Sequence, residues 1–155
     1  MGRVKMIVTA LLFCSAAILN AQEELVFKNG HIYSINDAEI DKRYTTFYED
    51  GNKSAIYSLE NGVLNGVADF FYRNGAKQEV GNYKNGEKHG KWIRWNQKGE
   101  VIAEISYYLG NKDGDWKLWD DQGNQRYQML YERGEKVGHW KMWDAEGNLI
   151  SDKKY

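Results

Sequence analysis

The sequence predicts an all-β protein: an elongated antiparallel β-meander of stacked 24-residue β-hairpin repeats, following an N-terminal export signal. Three observations predict it. Gly51, Gly75, Gly99, Gly123 and Gly147 are 24 residues apart, as are Gly62, Gly86, Gly110 and Gly134, and Gly66, Gly90, Gly114 and Gly138. These sets hold 13 of the 16 glycines, so glycine here is architecture rather than linker composition. The same spacing relates all six tryptophans, in the columns Trp92, Trp116, Trp140 and Trp95, Trp119, Trp143. Finally, proline is absent and tyrosine reaches 11, a composition that favours strands and tight turns over helices or disorder.

Taken in chain order, residues 1–21 read as a secretory signal peptide. Arg3 and Lys5 give a positive start, Met6 to Leu19 is mostly apolar, and Ala21 offers a small residue for cleavage before Gln22. The apolar run is shorter than the ~20 residues of a comfortable transmembrane helix. The mature protein is expected to start at Gln22 and to be periplasmic or secreted. Cys14 falls in this segment, so the mature chain has no thiol, which excludes disulfides, thiolate nucleophiles and cysteine metal sites.

Residues 22–41 lie off the repeat lattice. Leu25-Val26-Phe27 and His31-Ile32-Tyr33 flank Asn29-Gly30 and read as a capping hairpin. Residues 42–155 then hold about five repeats with no insertion or deletion. Within one period, Lys91–Trp95 reads as a short aromatic strand and Val101–Tyr108 as a longer one. Asn96-Gln97-Lys98-Gly99 joins them. Its first residue suits a local backbone hydrogen bond, and its glycine suits positive φ. Gly110–Gly114 reads as the turn into the next repeat. Trp92 and Trp95, three apart, project from opposite faces of a regular strand, or from one face if a bulge intervenes. Tyr83, Tyr107, Tyr131 and Tyr155 form a further column; Tyr44 and Ala68 precede Trp92 in its column, and Phe47 and Phe71 precede Trp95.

The unit Gly90-Lys91-Trp92-Ile93-Arg94-Trp95 with Gly99, Tyr107 and Gly110, repeated from Gly114 and from Gly138, resembles the MORN-repeat variant family. The form it resembles is the bacterial group labelled YwqK-type antitoxin. Ala68 and Phe71 depart from the tryptophan pair in the early repeats. The resemblance implies an elongated, non-enzymatic β-repeat protein given to protein or membrane contacts. It carries over no known binding residue.

Charge and chemistry narrow the function classes. Removing residues 1–21 leaves 19 Lys+Arg against 22 Asp+Glu, too few cations for phosphate neutralisation, so no nucleic-acid partner is expected. His31, His89 and His139 occupy non-equivalent positions, the last two beside glycines where exposed loop histidines are expected. The acids form no catalytic or metal-binding arrangement, so neither an enzyme nor a cofactor is expected. Lys88, Lys112 and Lys136 recur, interspersed with Glu87, Asp113 and Glu135, and read as solubilising loop residues. The aromatic columns remain as the only candidate site: Trp92, Trp95, Trp116, Trp119, Trp140, Trp143, Tyr83, Tyr107 and Tyr131. Their first expected role is as glue between repeats in a thin sheet; the second is contact with a ligand. The expected function is an exported protein-interaction scaffold, with an antitoxin or immunity-like role within it. The alternative is an envelope- or carbohydrate-binding module using exposed Trp and Tyr, with possible contact to glycan or a membrane surface. Glucan- and choline-binding repeats are shorter and set their aromatics side by side, unlike the Trp-x-x-Trp here. The oligomeric state is left open.

Overall fold

A computed structural model describes residues 25–28, 31–34 and 43–155. The proposed signal segment, residues 1–21, lies outside the described residues. The strands are β1 (Leu25–Lys28), β2 (His31–Ser34), β3 (Arg43–Phe47), β4 (Lys53–Glu60), β5 (Val63–Phe71), β6 (Lys77–Lys84), β7 (Glu87–Trp95), β8 (Val101–Tyr108), β9 (Asn111–Trp119), β10 (Gln125–Glu132), β11 (Glu135–Trp143) and β12 (Leu149–Lys154). From β3 to β12 each strand pairs antiparallel with the next, a meander in one open sheet. β1 and β2 pair with each other, and β2 touches β5 through His31 and Val63.

Two loop types alternate. At one end of the sheet the chain reverses in two residues, for example Leu109-Gly110 between the paired Tyr108 and Asn111. The first loop residue has positive φ: 49° at Asn61, 51° at Asn85, 45° at Leu109 and 50° at Arg133. A glycine with positive φ follows each, the signature of a type I′ turn, whose twist matches that of the flanking strands. Asn tolerates this backbone; Leu and Arg do so at a cost.

At the other end the loop is longer. The Asn96 amide donates to the Glu100 carbonyl, and the Gly99 amide returns to the Asn96 carbonyl at 3.0 Å. Asn96 Oδ1 accepts from the amides of Lys98 and Glu100, and Asp120 Oδ1 from those of Gln122 and Asn124. Gly99 has φ of 85°, and an added Cβ would meet nothing within 4 Å, so the need for glycine there is one of backbone conformation, not space.

The structure corrects the strand lengths. Gly110–Gly114 is not a loop: only Leu109-Gly110 turns, and Asn111 to Gly114 already belong to β9. The aromatic strands are thus nine residues long rather than short. They continue because a bulge absorbs the mismatch. Between Val80 and Asn82 of β6, β7 advances from Ile93 back to His89. β7 pairs regularly with β8 from Gly90 to Arg94, and the shift before Trp95 puts the extra residue, Ile102, on β8, so β7 itself keeps its alternation and Trp92 and Trp95 fall on opposite faces.

The buried side chains Ala55, Leu59, Ala68, Trp92, Ala103, Ile105 and Tyr131 all share the Trp92 face. Trp92 is the one large side chain among them that is fully enclosed, at 0% exposure. Its ring lies on the backbone of Gly81, where a Cβ would come within 2.1 Å of Trp92 Cδ2. Ala68, paired with Gly81, leaves room beside it. In later repeats the Gly81 position holds Ile105 and Met129, and Trp116 and Trp140 are only half-buried.

Candidate interaction face

The first tryptophan column builds a continuous ladder across the strands. Tyr57 packs edge-on to Phe70 at 5.6 Å, and Phe70 lies 6.1 Å from Trp92. From there Trp and Tyr alternate: Trp92–Tyr107 at 6.4 Å, Tyr107–Trp116 at 5.4 Å, Trp116–Tyr131 at 5.3 Å, Tyr131–Trp140 at 4.9 Å and Trp140–Tyr155 at 5.0 Å. Tyr83 stands perpendicular to Trp92 at 5.1 Å. The edge-to-face pairs among these, such as Tyr83–Trp92, Trp92–Tyr107 and Tyr131–Trp140, contribute about 0.5–1.5 kcal/mol beyond their buried area, while Phe70–Trp92, Trp116–Tyr131 and Trp140–Tyr155 are tilted. Each indole also finds a backbone acceptor ten residues earlier: Trp92 Nε1 donates to the Asn82 carbonyl at 3.2 Å, Trp116 Nε1 to Ser106 at 2.9 Å and Trp140 Nε1 to Leu130 at 3.0 Å. Those carbonyls lie at or beside the bulges, where the ladder of strand hydrogen bonds is interrupted.

The lysine column is part of this ladder, and its reading as loop residues is corrected. Lys88, Lys112 and Lys136 sit in β7, β9 and β11, not in loops. Each ammonium bridges a Trp and a Tyr: Lys88 over Trp92 at 3.7 Å and Tyr107 at 5.5 Å, Lys112 over Trp116 at 4.8 Å and Tyr131 at 4.9 Å, Lys136 over Trp140 at 4.4 Å and Tyr155 at 5.0 Å. Such contacts contribute about 0.5–1 kcal/mol at exposed sites. The signal was present in the sequence: each lysine precedes its tryptophan by four residues, an even spacing that puts both on one strand face.

Electrostatics follow from packing. Burial pushes the Tyr83 phenol up to about 12, with Tyr57, Glu79 and Tyr107 adding to the rise, and burial with Tyr57 does the same to Tyr44. Burial also raises Tyr107, as does Glu79, against an opposing effect of Arg94. The inner phenols therefore stay neutral. At the far end Tyr155 moves the other way: the upward effect of burial is outweighed by the Lys153 hydrogen bond and by the charge of Lys136.

The second tryptophan column is a separate feature. Trp95, Trp119 and Trp143 are half-buried on the opposite face and form no ring ladder among the described residues. Lys77 lies 5.9 Å above Trp95. The carbonyl of Trp95 accepts from the Tyr72 hydroxyl at 2.8 Å, and that of Trp143 from Arg126 Nε at 2.8 Å. Trp119 borders a shallow, open depression of about 380 Å³ whose other lining includes the ladder-face residues Arg94, Leu118 and Tyr127, with Ile102 and Arg126. Both arginines there are already engaged, Arg94 with Glu79 at 3.2 Å and Arg126 with Asp120 at 3.4 Å.

The nine aromatic candidates thus separate by accessibility. Trp92 is closed to any ligand and Tyr131 is buried, whereas Trp116, Trp140 and Tyr107 keep part of their surface open. The histidine expectation also changes. His89 is a half-buried strand residue with its ring 5.3 Å from Tyr108 and its Nδ1 enclosed without a hydrogen-bond partner. His139 is exposed but in β11, with Nδ1 2.7 Å from Asp152 Oδ1.

Against known proteins, residues 64–85 match the family model described as MORN repeat variant. The matched stretch is most of one period, β5 with β6. No curated protein matches the chain.

Proposed function

We propose that this chain, which carries the MORN repeat variant, is a non-enzymatic scaffold that works outside the cytoplasm and binds another protein along its ladder face. The observation that carries the reading is the charge of that face. By strand alternation it presents Lys88, Arg94, Lys112, Lys136 and Lys153 from regularly paired positions, against one carboxylate, Glu79. Glu79 is already held by Lys88 and Arg94, each at 3.2 Å. Half-open indoles at Trp116 and Trp140 lie beneath the lysines. Aromatic side chains are favoured anchors at protein interfaces, and cations among them suit a partner surface of opposite charge. An immunity-like role, in which the partner is an exported toxin, falls within this reading.

The test is capture from envelope extract with the chain from Gln22 onward as bait. The bait is compared with Lys112→Glu/Lys136→Glu on the ladder face and Lys117→Glu/Lys141→Glu on the opposite one. A protein partner lost only with the first variant is the expected result. Equal loss with both variants overturns the assignment of the face. Exposed Tyr108 and Tyr127, at 55% and 40%, favour glycan stacking as the second reading; retention on peptidoglycan or glycan alone would select it. Export is checked by intact mass from the native host, expected to begin at Gln22; a soluble cytoplasmic product retaining residues 1–21 overturns it.

A further inference from the structure

Apart from the ladder lysines, we propose that the depression bordered by Trp119 is a subsite for one neutral sugar ring of a glycan chain, with Tyr127 as its stacking platform. The proposal rests on the glycan reading of the exposed tyrosines and gives it a place; protein capture by the lysines stands or falls separately. The depression follows from the register. Arg94 pairs with Ala103, Ala103 with Leu118 and Leu118 with Tyr127, so the four form one row across β7 to β10 on the ladder face. Arg94 and Tyr127 therefore stand three strands apart, about 14 Å. Between them Ala103 is small and buried and Leu118 is half-buried, so the row dips between two taller side chains. The extra residues of two bulges, Ile102 and Arg126, together with Trp119 and Asp120, line the dip toward the longer loops. The resulting space of about 380 Å³ lies at the small end of ligand sites. The lattice does not require it: the Tyr127 column otherwise holds Ala55, Glu79, Ala103 and Ser151, and the Arg126 column Ser54, Gln78, Ile102 and Ile150.

Chemistry selects the ligand. The charges there cancel within the protein: Arg94 is paired with Glu79 at 3.2 Å and Arg126 with Asp120 at 3.4 Å, and Arg126 Nε also donates to the Trp143 carbonyl at 2.8 Å. An ionic ligand gains little from groups already neutralised. A neutral one adds hydrogen bonds without separating either pair, since a guanidinium and a carboxylate each have more bonding positions than one partner fills. Other donors are unused: no hydrogen bond engages the Trp119 indole N–H or the Tyr127 hydroxyl among the described residues. In this Trp119 differs from the ladder indoles, whose N–H groups are held by backbone carbonyls. Donors in excess call for a ligand rich in oxygen acceptors, and Ile102, Leu118 and the Tyr127 ring call for an apolar face. A pyranose has both: oxygens around its edge, and a face of C–H bonds whose partial positive charge meets the negative face of an aromatic ring. Tyr127 is 40% exposed, so its ring is open to that contact.

The experiment follows the indole N–H resonances of the isotope-labelled full chain, each assigned by its own Trp→Phe variant, during titration with two trisaccharides. Chitotriose is neutral, and its acetamido groups add an N–H for Asp120 and a methyl for the apolar wall; sialyllactose is anionic. Chitotriose is expected to move the Trp119 resonance, with a dissociation constant of about 1 mM, and to leave those of Trp116 and Trp140 in place. Sialyllactose is expected to bind about tenfold or more weakly. Tyr127→Ala should weaken chitotriose by about tenfold, Tyr127→Phe much less because the ring remains, and Lys117→Ala/Lys141→Ala on the opposite face should leave it unchanged. Circular-dichroism melts check that each variant folds, and the titrations of the unmodified chain stand without any variant. An unmoved Trp119 resonance, tighter binding of sialyllactose, or equal loss with Tyr127→Ala and with Lys117→Ala/Lys141→Ala overturns the proposal. Retention of the chain on glycan with Trp119 unmoved would keep the glycan reading and remove only this subsite.

Discussion

The repeat around Trp92 and the repeat around Trp140 share a sequence pattern and differ in how well they are closed. Trp92 is fully enclosed, because Gly81 and Ala68 give it a floor without side-chain bulk. Trp140 has the same indole hydrogen bond and the same lysine above it, yet remains half-open. The contrast extends beyond one residue. The type I′ turns of the earlier repeats begin with Asn61 and Asn85, those of the later repeats with Leu109 and Arg133 at equally positive φ. Of the large apolar side chains left exposed, Val67 lies early, whereas Tyr108, Tyr127, Leu130, Leu149, Ile150 and Tyr155 lie late. A repeat array distributes its stability by neighbour contacts, so here one end of the lattice is tuned for closure and the other keeps aromatic and apolar surface available.

The most severe way to break this comparison is at the enclosed indole. Trp92→Ala is expected to cost about 3–5 kcal/mol, as a fully buried large-to-small change does, and Trp140→Ala clearly less. Urea denaturation of both variants measures the difference, and equal losses would contradict it. Gly81→Ile tests the floor. It installs the side chain that Ile105 carries one repeat later, and should cost at least the ~1–3 kcal/mol of overpacking. Combined with Trp92→Ala it should lose much less than the sum, because the clash has one partner; strict additivity would place the strain elsewhere.

Next comes the backbone of the longer loops. Gly123 has φ of 82° with open space around its Cα, so Gly123→Val should lower stability by about 1–2 kcal/mol while Gln122→Val leaves it nearly unchanged. Matching melting temperatures for the two would refute the loop assignment. At the opposite loops the sign reverses: Leu109→Asn gives the late turn the residue its early counterparts have, and should stabilise by roughly 1 kcal/mol. Asn85→Leu should lose a similar amount, and the pair of melts checks both directions together.

The smallest expected effect is one of pH. The hydrogen bond from the Asn148 side chain, and amide donors beside it, hold the Asp144 carboxyl below its ordinary value. At Asp120 partial burial acts upward but is outweighed by amides of Asn124 and Gln122 and by Arg126, so it too is lowered. A carboxyl depressed by folding stabilises the fold above its unfolded value, near pH 4, and that contribution disappears as pH falls through the folded value. The earlier loops start instead with Tyr48 and Tyr72, whose hydroxyls donate to the carbonyls of Phe71 and Trp95. The melting temperature of Asp120→Asn/Asp144→Asn should therefore fall less steeply than that of the unmodified chain below about pH 4. Identical slopes would mean that these loops do not respond to acid.

The sequence by itself determined whatever depends on spacing and local backbone chemistry. The 24-residue period, two strands per repeat, the glycine positions of positive φ and the polar residue that closes the Asn96-type loop all follow from residue type at fixed offsets, because turn geometry and strand alternation are local. It also placed the two tryptophan columns on opposite faces of a regular strand, though not the choice between that and a bulge. What the tertiary structure alone decided is what lies across the strands. Gly81 and Trp92 are eleven residues apart, and nothing in their separate columns says that one is the floor of the other. The bulge opposite Gly81 and its equivalent opposite Ser106 let Glu87 to Gly90 and Asn111 to Gly114 belong to strands, and so bring the lysines over the rings rather than into loops. Cross-strand register sets those contacts, and register is fixed jointly by pairing and bulges along the whole sheet, so one period read alone does not contain it.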